Sequence, residues 1–121
     1  MSDFKSISGK CVLIVEDDFY QSRDVIKSIE NAGCVVVTTT PDADEACASI
    51  KRDKIDFALV DINLGYGPAF ETARALRRQG IPFIFTTGYD AASIPEDLQG
   101  VAIIQKPFDQ AALMDAIAGL T

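Results

Sequence analysis

The sequence contains no histidine. That absence excludes Ser-His-Asp and Cys-His machinery, His-ligated zinc and a phosphohistidine carried on this chain. Long apolar runs are missing as well. The longest span about five residues, such as Cys11 to Val15, where a membrane-spanning helix needs about 20. The first ten residues, MSDFKSISGK, hold no apolar core of a secretory signal, so cytoplasmic residence is the expectation. Cysteine is sparse: Cys11, Cys34 and Cys47 are odd in number and form no CxxC pair. They read as buried free thiols rather than as disulfide, redox or metal residues. Internal repeats, low-complexity segments and charge blocks are absent.

What is present fits one folded unit. The chain has 121 residues, 48% hydrophobic and 24% charged, which argues against disorder and for a single domain over 1–121, with 1–9 as a short frayed lead-in. Its 18 acidic and 11 basic side chains leave a net charge of −7. Direct nucleic-acid binding is unexpected, because the phosphate contribution to affinity would be repulsive overall.

Five apolar, β-prone runs alternate with helical patterns. Cys11 to Val15, Cys34 to Thr38, Phe57 to Val60, Pro82 to Phe85 and Val101 to Ile104 read as strands. Helices are predicted from Asp18 to Ala32, closed by Gly33; from Thr40-Pro41, with Thr40 as N-cap; from Ala69 to Gln79, stopped by Gly80; a short one between Ala91 and Leu98; and from Gln110 to Leu120 with Asp109 as N-cap. Such alternation builds βαβ units around a doubly wound parallel sheet, an α/β fold. Ligands bind such sheets at the carboxyl ends of the strands.

Chemistry-bearing residues stand at those ends. Strand one ends in Glu16-Asp17-Asp18, strand three in Asp61, strand four in Thr86-Thr87, and strand five runs into Gln105-Lys106-Pro107. Singly, each has a plain reading: a helix cap, a turn residue, a solvated lysine. Jointly they gather carboxylates, hydroxyls and one ammonium on one edge of the sheet. Carboxylates so crowded repel one another unless a cation offsets them. The reading from strand ends alone leaves Glu16, Asp17 and Asp61 short of local positive charge, and Mg²⁺ is the natural partner for such oxygen ligands. An aspartate beside Mg²⁺ can attack a phosphoryl group, with a lysine and a hydroxyl binding its oxygens.

Four motifs, VLIVEDD (12–18), LVDIN (59–63), FTTG (85–88) and KPF (106–108), resemble in order and spacing the receiver domain of two-component response regulators, from Cys11 to Leu120. The resemblance implies a flavodoxin-like, five-stranded sheet of order 2-1-3-4-5 with five helices. It implies that Asp61 is the phosphoacceptor, that Glu16, Asp17, Asp61 and the backbone carbonyl of Asn63 hold Mg²⁺, that Thr87 is the switch hydroxyl and that Lys106 contacts the phosphoryl oxygens. Pro107 stands where the family often has a cis Lys–Pro bond. The chain departs from the family in two places. Asn63-Leu-Gly-Tyr-Gly-Pro68 replaces the usual Met-Pro and Asp-Gly stretch, and Ile103 replaces an aromatic switch residue. Tyr89 is then a candidate gate beside Thr87. The stretch Pro82 to Tyr89 resembles a stand-alone alphaproteobacterial subgroup.

The function so implied is that of a phosphorelay signalling domain rather than a conventional enzyme. A histidine kinase or histidine phosphotransfer protein would donate the phosphoryl group; with no DNA-binding segment after Leu120, the expected output is protein–protein contact, phosphoryl relay, or work as one domain of a larger chain. Two rival readings are a receiver-like interaction module that is never phosphorylated and a flavodoxin-like redox protein. The set Asp17, Asp61, Thr87 and Lys106 argues against the first. The carboxylates Glu16-Asp17-Asp18, where a flavin phosphate would sit, argue against the second.

Overall fold

The computed structural model describes residues 7–16, 19–64, 67–68, 70–87, 94–106 and 108–120, without the side chains of 19, 21, 63, 64, 67 and 68. Five strands form one parallel sheet: β1 (Cys11–Val15), β2 (Val35–Thr40), β3 (Phe57–Asp61), β4 (Phe83–Thr87) and β5 (Ile103–Gln105), in the order β2-β1-β3-β4-β5. This is the expected order. Three helices connect the strands, α1 (Phe19–Asn31), α2 (Ala43–Arg52) and α3 (Phe70–Arg78), and a fourth, α4 (Gln110–Ala118), follows β5.

The two faces of the sheet follow from strand alternation. Val12 and Ile14 of β1, Phe57 and Leu59 of β3 and Ile84 of β4 pack with Val25 and Ile29 of α1 and with Leu113 and Ile117 of α4. Leu13, Val15, Ala58, Val60, Phe83 and Phe85 pack the other way, against Ala46 and Ile50 of α2 and Ala73 and Leu76 of α3. The central strand β3 is buried along its whole length. A run without polar interruption is what a strand covered on both faces requires.

Several sequence-based expectations shift. Four helices, not five, are found among the described residues. In place of the helix expected over 91–98 there is a 3-10 turn at Glu96–Leu98; residues 91–93 lie outside the described set. Pro95 precedes that turn at φ −55°, and Gln99 after it is already extended at ψ 147°, so the winding ends there. The cap of α2 is Asp42, whose carboxylate accepts the Asp44 amide at 2.9 Å, and not Thr40. Thr40 ends β2, and its hydroxyl accepts the Asp42 amide at 3.0 Å, turning the chain into the cap. Asp109 caps α4 as expected, accepting from the Ala112 amide at 2.8 Å.

Residues 7–9, the described part of the lead-in, are anchored to the core. Ile7 is 3% exposed in the core, and the Gly9 amide donates to the Gly33 carbonyl at 2.8 Å. Gly33 closes α1 at φ +89°, where a side chain would be strained, and a Cβ there would stand 2.6 Å from the Ser8 hydroxyl, which would have to shift. The three cysteines are free, but only Cys34 is buried, its Sγ donating to the Ile7 carbonyl at 3.2 Å; Cys11 and Cys47 are half-buried. A short antiparallel pair, Asn63–Leu64 with Gly67–Pro68, leaves β3 and leads toward α3. Hydrophobic periodicity offers no sign of it, since two-residue strands carry none.

Candidate phosphoryl-transfer site

Three charged side chains meet at the carboxyl edge of the sheet. The Lys106 Nζ donates to Glu16 Oε1 at 2.6 Å and to Asp61 Oδ2 at 3.1 Å. All three side chains are nearly shut off from water, at 11% exposure for Lys106, 4% for Glu16 and 5% for Asp61. Strand periodicity explains why they converge. Glu16 continues the Val12–Ile14 face of β1, Asp61 the Phe57–Leu59 face of β3, and Lys106 the Ile104 face of β5, and these faces are one. The ladder then fixes their height. The Glu16 amide bonds the Thr40 carbonyl at 3.0 Å, and the Lys106 amide bonds the Thr87 carbonyl at 2.7 Å.

Glu16 and Asp61 therefore share one cation that the strand ends alone did not reveal; Asp17, the third carboxylate of that expectation, lies outside the described residues. Lys106 stands between Glu16 and Asp61 and offsets part of their repulsion. A buried ion trio holds only where the geometry meets the cost of desolvation. Burial on its own pushes the Lys106 pKa down; the hydrogen bonds and charges of Glu16 and Asp61 more than offset this, and the net shift is upward. Lys106 is thus held as an ammonium.

Thr87 ends β4 and is 3% exposed. It continues the Phe83–Phe85 face, opposite to the one that carries Asp61. Ile103, where the family resemblance anticipates an aromatic switch, pairs in register with Phe85 and is 43% exposed. The residue beside Asp61 in the ladder is instead Thr86, 4% exposed and on the Asp61 face. Reading the strand ends places Thr86 at this edge without assigning it a task. The register is what distinguishes it, and register is not visible in one strand. Asn63 lies in the short antiparallel pair, opposite Pro68 and two residues past Asp61. Asp17, Asp18, Tyr89 and Pro107 lie outside the described residues.

The donor set suits a hard divalent cation. Two carboxylates against one ammonium leave net negative charge, and Mg²⁺ takes one or two carboxylates while keeping its waters. Among the described residues no three His, Cys, Asp or Glu side chains cluster for metal binding; Glu16 and Asp61 supply two.

Comparisons with known proteins bear on the family and the fold. The model of the response regulator receiver domain matches residues 12–118. Sequence comparison finds no match among curated proteins. Among solved structures, SdrG from Sphingomonas melonis Fr1 is 30% identical, with a TM-score of 0.83 over 93% of this chain and 96% of that one. The BeF3-activated conformation of SdrG, given for Pseudomonas melonis Fr1, is likewise 30% identical, with a TM-score of 0.79 over 93% and 97% of the two chains. A mutant of the anti-anti-sigma factor PhyR from Bartonella quintana is 24% identical with a TM-score of 0.81. The alignment covers 96% of this chain and 50% of PhyR, so that likeness speaks to the fold.

Proposed function

The chain belongs to the response regulator receiver domain family, and from that premise we propose that it is a phosphoacceptor whose Asp61 takes a phosphoryl group from the phosphohistidine of a kinase or histidine phosphotransfer protein. The observation that carries the proposal is the Lys106 ammonium, bonded at once to Asp61 and Glu16 at the carboxyl edge of the sheet. An unphosphorylated interaction module has no need of that buried charge.

The chemistry assigned to the chain's own groups is limited and balanced. An Asp61 carboxylate oxygen attacks phosphorus, an O–P bond forms, the N–P bond to the donor imidazole breaks, and the electron pair stays on that nitrogen. Lys106 is already hydrogen-bonded to Asp61, so its charge is in place to meet the incoming phosphoryl oxygens. Glu16 and Asp61, with Asp17 and the Asn63 carbonyl by family resemblance, are the residues that would hold Mg²⁺. When bound, Mg²⁺ supplies neutralising charge to the phosphoryl oxygens. By family resemblance alone, since strand alternation turns Thr87 to the face away from Asp61, the Thr87 hydroxyl at the end of β4 is assigned to bind the new phosphoryl group and bias a two-state equilibrium. In this reading the domain catalyses only its own phosphorylation and dephosphorylation, and its output is contact with another protein.

Beryllofluoride provides the test, and SdrG, with its BeF3-activated conformation, sets the precedent. Beryllofluoride with Mg²⁺ should shift the amide resonances of Asp61, Thr87 and Lys106 in the parent, and leave Asp61→Asn unmoved. Identical spectra of the parent with and without beryllofluoride would rule the proposal out.

A further inference from the structure

The opposite end of the sheet carries the reverse charge. There the last turn of α2 holds Lys51 and Arg52, and the last turn of α3 holds Arg77 and Arg78. The two helices pack against each other, and Lys54 follows α2 on the same edge. All five cations are exposed, in a molecule of net charge −7 that has 11 basic residues in all. The acids nearby are engaged. Asp53 accepts from Arg52 at 3.0 Å and from the Ser49 hydroxyl at 2.8 Å. Asp56 accepts the Cys11 amide at 2.7 Å, and Asp97 is gripped by Arg74 at 3.0 and 3.3 Å. Glu30 sits on α1, which covers the other face, and Asp115 stands on α4 one turn before Gly119. Cations in a last turn complement the helix dipole, but Lys54 lies beyond its helix and gains little from it.

Next to this edge a groove of about 440 Å³ opens where β4 and β5 begin. Ile81, Pro82, Phe83, Val101 and Leu120 line it, with Arg77 at the rim. Gly80 and Gly100 stand at its mouth, with φ of +71° and +88°, and nothing lies within 4 Å of where their Cβ atoms would be. The backbone there is open to approach.

We propose that this groove and its basic edge form a docking site for a short acidic peptide segment of a partner protein. An apolar side chain of that segment fills the groove, and its carboxylates face Arg78, Lys51 and Lys54. Charge complementarity selects the occupant. A nucleic acid or an anionic membrane is an extended polyanion and meets the repulsion of the whole acidic molecule. A short segment senses only the charges within a Debye length of about 8 Å.

The probe is an acetylated and amidated peptide of leucine alternating with aspartate and glutamate, titrated into the intact chain and followed by amide chemical shifts. Saturable shifts at Gly80, Val101 and Leu120, with a Kd below about 1 mM, are expected. Lys51→Glu with Arg78→Glu should weaken binding by about tenfold or more. Lys51→Gln with Lys54→Gln, a milder change at exposed positions, should weaken it in the same direction if the reversal variant fails to fold. The lysine analogue of the peptide should not bind, and replacing its apolar residues by serine should weaken the acidic one. No saturable shift, undiminished affinity in the folded charge variants, or equal binding of the lysine peptide would overturn the proposal. Tighter binding of single-stranded DNA or of anionic vesicles at the same amides would overturn the choice of partner.

Discussion

Lys106 and Glu16, 90 residues apart in the chain, meet at 2.6 Å in a site nearly closed to water. The same ammonium reaches Asp61. The lysine is therefore a structural counter-ion to two buried carboxylates in addition to its assigned role toward phosphate. Removing it strands both. Lys106→Ala should destabilise the metal-free protein by about 3 kcal/mol, the usual cost of leaving a buried pair uncompensated. Mg²⁺ should recover more stability in the variant than in the parent, because it replaces the lost positive charge. Urea melts with and without Mg²⁺ check both parts; a variant as stable as the parent without metal contradicts the account.

The pH dependence of that trio has a definite sign. The folded-state pKa of Lys106 lies above its ordinary value of about 10.4. Its contribution to stability is therefore fully present below that value and is lost only as pH rises through the higher folded-state pKa. The stability difference between parent and Lys106→Ala, measured in metal-free urea melts, should stay constant from about pH 7 to pH 9. A difference that shrinks across that range would show that the ammonium is not held.

Thr72, fully buried in α3, has a hydroxyl with no hydrogen-bond partner among the described residues. A buried donor without a partner carries its full desolvation cost. Thr72→Val keeps the shape and removes that cost, so it should stabilise the fold by about 1 kcal/mol. A loss of stability in the urea midpoint would mean that the hydroxyl is satisfied in solution.

The cap of α2 distinguishes two readings of one sequence. Asp42→Ala removes the carboxylate that accepts the Asp44 amide and should cost about 1 kcal/mol in thermal or urea unfolding. An unchanged midpoint would return the capping role to Thr40.

How much of this is legible in the sequence depends on range. Glu16, Asp61, Thr87 and Lys106 stand out because each ends or follows an apolar run, and a parallel sheet collects such ends on one edge. The bond between Lys106 and Glu16 does not, because spacing along the chain says nothing about which strands are neighbours in height. Thr86 is visible at its strand end but is given no task, for the same reason: its partnership with Asp61 is a matter of register. Thr40-Pro41 looks like a helix start because both residues favour one, yet the strand claims Thr40 and the cap moves to Asp42. The clamp of Arg74 on Asp97, with Arg77 donating to the Asp97 carbonyl, ties a loop to a helix about 20 residues away. No local pattern announces such a contact.

The central claim is that Asp61 accepts the phosphoryl group. Incubation with acetyl phosphate and Mg²⁺, followed by intact-mass and peptide mapping, measures it directly. The account predicts one added phosphoryl group per chain, carried by the peptide containing Asp61, dependent on Mg²⁺ and absent from Asp61→Asn. Phosphorylation at another residue, or labelling of Asp61→Asn equal to the parent, would contradict it.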